Sequence, residues 1–434
     1  MKVAFFTLGC KVNQYETEAM REAFVKAGHT PVSEDAPFDA VVINSCTVTA
    51  ESDRKTRQTV RKFRRERPDA IIILTGCMVQ AFSSEAQALS EADIVAGNTD
   101  VEKIVCYAEK FARDGERIFS VSPHGKKERF NTPALSDFAE RTRAYMKIED
   151  GCERFCTYCI IPTARGFVRS KPVEEIKAEA ERLAAAGFSE IVLVGINLTS
   201  YGKGENINLC DAVSAVCAVD GIKRVRLGSL EPDHMSDEML KRLSEEEKFC
   251  PQFHLSLQSG CDETLKRMNR HYDTEFYRDL VFRIRKIFKN AAVTTDIMVG
   301  FAGETEEEFN KSRLFAEEIG FAKVHIFAYS RRQGTVAYGL PNQVSRREKA
   351  ERSRLMSETA AKTEERFLAS QIGEIRKVLF ETAEDGYAVG YTENYSRVRV
   401  KSDNSFCGEI KPVKIISAEG TYCIGEIVRD GENA

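Results

Sequence analysis

Three cysteines crowd the stretch EDGCERFCTYCIIPTARG, which runs from Glu149 to Gly166: Cys152, Cys156 and Cys159. A closed structural zinc site uses four ligands and a disulfide uses two thiols, so three is an unusual number. Three thiolates suit a cubic iron–sulfur cluster in which one iron keeps no protein ligand and stays open to a small molecule. Neither His124 nor His234 stands at ligand spacing from the trio, so a Cys3His zinc site has no local support.

A second trio is scattered along the chain but shares a context. Cys10, Cys46 and Cys77 end the runs FFTLGC, VVINSC and IILTGC, each an apolar strand pattern followed by a helical one. In a doubly wound parallel sheet such strand ends share the carboxyl edge, where ligands bind. The three thiols are therefore expected to converge on a second cluster. The other seven, Cys106, Cys210, Cys217, Cys250, Cys261, Cys407 and Cys423, share no such placement and read as packing residues.

The elements that must position these thiols fall into three segments. Residues 1–115 alternate apolar runs with helical patterns, predicting an N-terminal α/β domain with a doubly wound parallel sheet. Residues 116–140 are polar and read as a linker. Residues 141–370 carry six more apolar runs, AYMKI, EIVLVGI, RVRLGSL, FHLSLQS, AVTTDIMVGF and KVHIFAYS, with helical stretches between them. That order predicts a (β/α)6 partial TIM barrel with its site at the carboxyl ends of the strands, and the first strand end is the cysteine loop. Residues 371–434 change to short alternating runs, as in a small β-barrel.

Composition narrows the function classes. The 434 residues are 42% apolar and 30% charged with a net charge of -4, and no apolar run approaches a membrane span. The start MKVAFFTLGC has too short an apolar core for a signal peptide. Thirteen cysteines without such a signal point to a reducing compartment and a cytoplasmic protein.

The C-x3-C-x2-C spacing with Tyr158 before the third cysteine, in a loop after the first strand of a βα series, resembles the radical S-adenosylmethionine superfamily. The resemblance implies that the open iron chelates S-adenosylmethionine and that Cys152, Cys156 and Cys159 are catalytic, an electron from their 4Fe–4S cluster releasing a 5′-deoxyadenosyl radical. The strand ends nominate the cofactor's bed: Gly195, Asn197, Ser229, Glu231, Gln258 and Gly300. With the N-terminal trio before it and a small β domain after it, the chain resembles the methylthiotransferase family over nearly its whole length. That implies an auxiliary 4Fe–4S cluster on Cys10, Cys46 and Cys77, and a TRAM-like tail that grips RNA. The stretch TLGCKVNQYE is most similar to the branch that thiolates threonylcarbamoyladenosine at position 37 of tRNA. The partners implied are the tRNA anticodon loop, a reductant such as flavodoxin or ferredoxin, and a sulfur donor, with no membrane. The same chemistry on isopentenyladenosine or on a ribosomal-protein side chain is the rival enzyme reading; a zinc-containing RNA-binding scaffold is the non-enzyme one.

Charge patterning nominates RNA contacts. YSRVRVKS places Tyr395, Arg397, Arg399 and Lys401 on one strand face, opposite Val398 and Val400. Residues 53–67 hold 8 basic and 2 acidic side chains, with Arg54, Arg57, Arg61 and Arg64 or Arg65 at helical spacing, a face suited to guiding an anionic stem. Arg165, Arg331 and Arg332 are the candidates for the threonyl carboxylate.

Overall fold

The computed structural model describes residues 1–126, 128–136, 142–402, 404 and 406–428. Parts of the expected linker (127 and 137–140) and of the tail (403, 405 and 429–434), with Arg141, lie outside the described residues.

The N-terminal strands pair in parallel in the order Thr30–Val32, Lys2–Thr7, Ala40–Ser45, Ile71–Gly76, Ile94–Ala96 and Ile118–Ser120. Alternate side chains leave opposite faces, and each face needs its own helices. Val41, Ile43, Ile72 and Leu74 pack with Val60 and Phe63 of the helix Ala50–Glu66. Val42, Ala40, Ile71 and Ile73 pack with Met20 and Phe24 of Lys11–Lys26 and with Ile104 and Ala108 of Ile104–Asp114. Ile118–Ser120 is a sixth strand inside the segment expected to be plain linker; at three residues it carries no alternation to read.

Six further strands follow in chain order, all parallel: Ala144–Lys147, Glu190–Val194, Arg224–Leu227 continued past Gly228 as Ser229–Leu230, Gln252–Leu255, Ala292–Val299 and Lys323–Ala328. Among the described residues no ladder joins the first to the last, so the barrel is open there. Its crossover helices begin where side chains satisfy free amides: Asn208 accepts from Cys210 N at 2.9 Å, Asp273 from Phe276 N at 2.8 Å and Thr305 from Glu308 N at 3.2 Å. The N-terminal helix Lys11–Lys26 packs Val12 and Tyr15 into the same core as Tyr145 of the first barrel strand.

The tail is a closed five-stranded barrel, in the order Ile375–Glu384, Tyr387–Thr392, Arg397–Lys401, Tyr422–Ile427, Ile410–Glu419. Val398 and Val400 fill its core while Arg397, Arg399 and Lys401 point outward. It is docked by side chains that reach main-chain oxygens across the junction in both directions. Arg224 Nη1 donates to Tyr391 O at 3.0 Å, Arg226 Nη1 to Glu393 O at 3.0 Å, and Asn394 Nδ2 donates to Asn290 O at 3.0 Å. Tyr395 departs from its expected place on the basic strand face. It sits in the preceding turn at φ +69°, its ring stacked 4.7 Å from that of Tyr391 and 4.7 Å from the Arg226 guanidinium. Of the seven cysteines expected to pack, Cys106 and Cys407 are exposed and the other five are buried.

No helix among the described residues is long and apolar enough to cross a membrane.

Candidate functional site

The cysteine loop is closed at its base by a short antiparallel ladder, Asp150 opposite Arg169 and Glu149 opposite Ser170, and by Cys152 N donating to Gly166 O at 3.0 Å. Gly151 enters the loop at φ +89°, where a Cβ would stand 2.0 Å from Phe167 O, so no other residue fits there. Inside it, Cys159 N donates to Cys156 O at 2.9 Å, bringing those two thiols onto one turn. Thr157 anchors the loop to the barrel through Met268 O at 3.0 Å and Arg267 O at 2.8 Å. Arg270 Nη1 donates to Cys156 Sγ at 3.2 Å, and Glu231 holds Arg270 in place at 2.5 Å.

Burial, with the Cys156 thiol adding to it, pushes the Cys152 and Cys159 thiols up to about 12. The Cys77 thiol is likewise pushed up to about 12 by burial, against the pull of Arg165 and with Cys46 and Cys10 adding to it; burial also raises Cys46. Cys46, Cys77, Cys152 and Cys159 are thus soft donors at places where a bare thiolate is costly and a bound metal centre would remove that cost. Among the described residues no three His, Cys, Asp or Glu side chains converge closely enough for a single ion.

One side chain ties the trios together. Arg165, on the short helix Ile161–Arg165 that closes the loop, is fully buried and donates to Cys77 Sγ at 3.1 Å, Asn13 Oδ1 at 3.2 Å and both Glu16 oxygens, one of them at 2.9 Å. Lys147 bridges Glu16 at 2.7 Å and Asp150 at 2.6 Å. Arg165 is therefore not free to receive a substrate carboxylate, contrary to expectation. Arg332 is excluded likewise: it is buried, 2.6 Å from Asp53 and 2.7 Å from Thr47 Oγ1. Arg331 turns back on its own loop, donating to Tyr338 O at 2.7 Å.

Two cavities each touch one of the trios. The larger, of about 620 Å³, is lined by Cys10, Lys11, Gly195, Ser229, His254 and Asp296, among others, and reaches Tyr395 and Arg397 of the tail. The smaller, of about 210 Å³, is lined by Cys159, Val48, Gln258, Phe327 and again Asp296. Asp296 is thus a wall common to a cavity bearing one trio's thiol and a cavity bearing the other's. His254 Nε2 stands 3.3 Å from Asp296, and burial followed by the His254 charge lowers His325.

The six strand-end residues divide. Gly195 and Ser229 line the larger cavity and Gln258 the smaller. Gly195 permits a close approach, since a Cβ there would lie 2.6 Å from Glu149 Oε2. That carboxylate oxygen accepts from Asn197 N at 2.7 Å, while Glu149 Oε1 and Asn197 Nδ2 are buried without partners among the described residues. Burial pushes Glu149 up to about 8. Glu231 acts through Arg270. Gly300 lines neither cavity: its N–H donates to Glu304 at 2.6 Å and Lys349 covers it.

On the tail, Arg397 pairs with Glu384 at 2.8 Å, Arg399 lies between the rings of Tyr387 (5.2 Å) and Tyr422 (4.9 Å), and Lys401 is exposed. The basic helix face is matched by acids of its own domain: Arg57 with Glu85 at 3.6 Å, Arg61 with Glu91 at 3.1 Å, Arg64 with Asp93 at 2.5 Å, and Arg54 with Glu51. Sequence reading missed Lys11, Arg270, His254, Asp296 and Phe327. Of these only Lys11 carried a signal, lying inside the quoted GCKVNQYE.

A profile described as the Radical SAM superfamily matches residues 146–316, and one described as Uncharacterized protein family UPF0004 matches residues 2–97. The threonylcarbamoyladenosine tRNA methylthiotransferase MtaB of Bacillus subtilis is 38% identical, over 98% of this chain and 96% of its own. Its namesake from Thermotoga maritima is 37% identical over 97% and 96%. A tRNA-2-methylthio-N(6)-dimethylallyladenosine synthase of Clostridium perfringens is 32% identical over 97% and 96%. Among solved structures, the radical S-adenosylmethionine methyltransferase TsrM of Kitasatospora setae, with cobalamin and a 4Fe–4S cluster bound, superposes with a TM-score of 0.56. It covers 77% of this chain and 76% of that one at 12% identity, a likeness of fold.

Proposed function

Because the chain belongs to the radical S-adenosylmethionine tRNA methylthiotransferases, we propose that it places a methylthio group on C2 of threonylcarbamoyladenosine at position 37 of tRNA. The aromatic C2–H bond offers no acidic proton, which is why ordinary acid–base catalysis does not serve and a radical is needed. Cys152, Cys156 and Cys159 hold a 4Fe–4S cluster that, with S-adenosylmethionine, supplies the hydrogen-abstracting 5′-deoxyadenosyl radical. Cys10, Cys46 and Cys77 would hold a second cluster, which would carry the sulfur destined for the base.

The residues around these clusters position and exclude. The loop's anchors to Met268 and Arg267 fix the radical rim, and Arg165 fixes the N-terminal rim to it. The adenine, splayed from the single-stranded anticodon loop, enters between the rims. Phe327, half exposed beside Cys159's cavity, offers it a stacking face. The tail meets the RNA backbone through the exposed Lys401, and less through Arg397 and Arg399, which share Glu384 at 2.8 Å and 3.8 Å. A flavodoxin- or ferredoxin-type reductant and a sulfur donor complete the partners, and the cytoplasm, where tRNA and reduced thiols coexist, is the site of action.

The observation that carries this reading is the shared wall at Asp296, which lines both the cavity bearing Cys10 and the cavity bearing Cys159. Nucleoside mass spectrometry on tRNA from cells lacking the gene tests it. The 2-methylthio derivative of threonylcarbamoyladenosine should vanish while its unthiolated parent remains. Loss of the isopentenyl product instead would keep the chemistry and reject the substrate.

A further inference from the structure

The larger cavity is rich in cations, and all but one of its lysines and arginines are committed. Arg226 donates to Glu190 at 3.1 Å and to two main-chain oxygens of the tail. Arg397 is 2.8 Å from Glu384, and Lys323 is 3.8 Å from Glu364. His254 is held between Asp296 at 3.3 Å and Thr294 Oγ1 at 3.0 Å. Lys11 differs. It lines the same cavity, and among the described residues its ammonium makes no hydrogen bond or ion pair, resting only 5.8 Å from the centre of the Tyr145 ring. Cys10, Lys11 and Val12 all line this wall, so the positive pole of the helix Lys11–Lys26 abuts the cavity as well.

We infer that Lys11 binds the carboxylate of the substrate's threonyl group and so decides which modified adenosine is accepted. The inference rests on the threonylcarbamoyl reading above and adds the group that recognises it. A half-buried ammonium without an ion-paired carboxylate gains most from an anion that arrives with the substrate, because the charge-assisted bond forms without displacing an existing partner. The N6 substituent and C2 lie at the two ends of one edge of the adenine. An anchor beside Cys10 for the first therefore leaves the second facing the same rim. An isopentenyl group brings no charge and would leave Lys11 unsatisfied, which turns the lysine into a device of rejection too.

Anticodon stem-loop RNAs carrying either threonylcarbamoyladenosine or its threoninol analogue, in which CH2OH replaces the carboxylate, test this. Their Kd values are measured by fluorescence anisotropy on the full-length, cluster-loaded protein. Wild type should bind the carboxylate RNA about 10- to 100-fold more tightly than the analogue. Lys11→Gln should bring the ratio close to one, and Lys11→Arg should keep most of it. A Lys11→Gln ratio equal to wild type overturns the inference, as does a wild-type ratio of one. A ratio lost in both variants overturns it too, since packing beside Cys10 and not charge would then be at issue. Failure of the wild type to thiolate the threonylcarbamoyl RNA is a separate result, which rejects the proposed substrate itself.

Discussion

Arg165→Met removes the guanidinium that joins the two cysteine rims, and its cost follows from what is left behind. Glu16, buried, loses two bonds and keeps only Lys147 at 2.7 Å; Asp150, also buried, keeps Lys147 and Arg169. Removing one member of a buried ionic cluster costs about 3–5 kcal/mol, because the remaining charge stays out of water. At about 3 °C per kcal/mol for a unit of this size, the melting temperature should fall by about 9 to 15 °C. The pH dependence gives a sharper check. Burial alone would raise Glu16, but Arg165 and Lys147 outweigh it and hold the carboxyl below its ordinary value of 4.5; Asp150 is held far down by the same charges. A carboxyl lowered on folding adds stability that is complete above its unfolded value and is lost as pH falls through the folded one. In the variant Glu16 is no longer held down, so it protonates at higher pH and the deficit shrinks on acidification. Thermal melts under nitrogen, followed by circular dichroism at neutral pH and near pH 5, would show the gap between wild type and variant narrowing. A shift under about 3 °C, or one constant across pH, refutes the account of Arg165.

Reconstituted protein should hold about eight irons, and the joint replacement of Cys152, Cys156 and Cys159 by Ala should leave about four by colorimetric iron assay; unchanged iron would remove the loop as a cluster site. Joint replacement of Cys10, Cys46 and Cys77 by Ala should still release 5′-deoxyadenosine under reductant, read by liquid chromatography, but yield no thiolated nucleoside. Gly151→Ala must relieve a Cβ placed 2.0 Å from Phe167 O, so it should lose the loop's iron–sulfur absorption while the tail keeps its fold. Arg399→Ala with Lys401→Ala should weaken tRNA binding and flatten the plot of log Kd against log salt by about 0.7 per lost phosphate contact; an unchanged slope would take these residues out of the RNA interface.

The six barrel strands and the three strand-end cysteines were legible because each depends on local alternation and on a turn that follows it. Edge strands Thr30–Val32 and Ile118–Ser120 were not, since three residues hold no period. The fate of an arginine was harder still. Arg165 and Arg332 look like solvent-facing cations in sequence, and only the packing of the N-terminal domain on the barrel buries them against Glu16 and Asp53, more than a hundred residues away. Tyr395 failed differently: a positive φ breaks the strand alternation and turns its ring toward Arg226. Lys11 was in plain view within GCKVNQYE, but its importance lies in having no acid within ion-pair distance among the described residues, a property of the folded surroundings alone.

The way the tail is docked has a consequence for how a nucleotide is chosen. Arg224, Arg226 and Asn394 fasten it through carbonyl oxygens, Asn394 bonding also to Gln371 at 3.0 Å. These acceptors and the Arg143–Glu381 ion pair at 2.6 Å fasten the tail at several points at once, so the span from the exposed basic strand to the cavity behaves as a fixed length. An RNA gripped at the strand then presents whichever base lies one such length along its fold. If the tail strand is the RNA grip proposed above, position is selected as by a caliper, by distance from a reference surface, and Lys11 is left only the task of asking what that base carries.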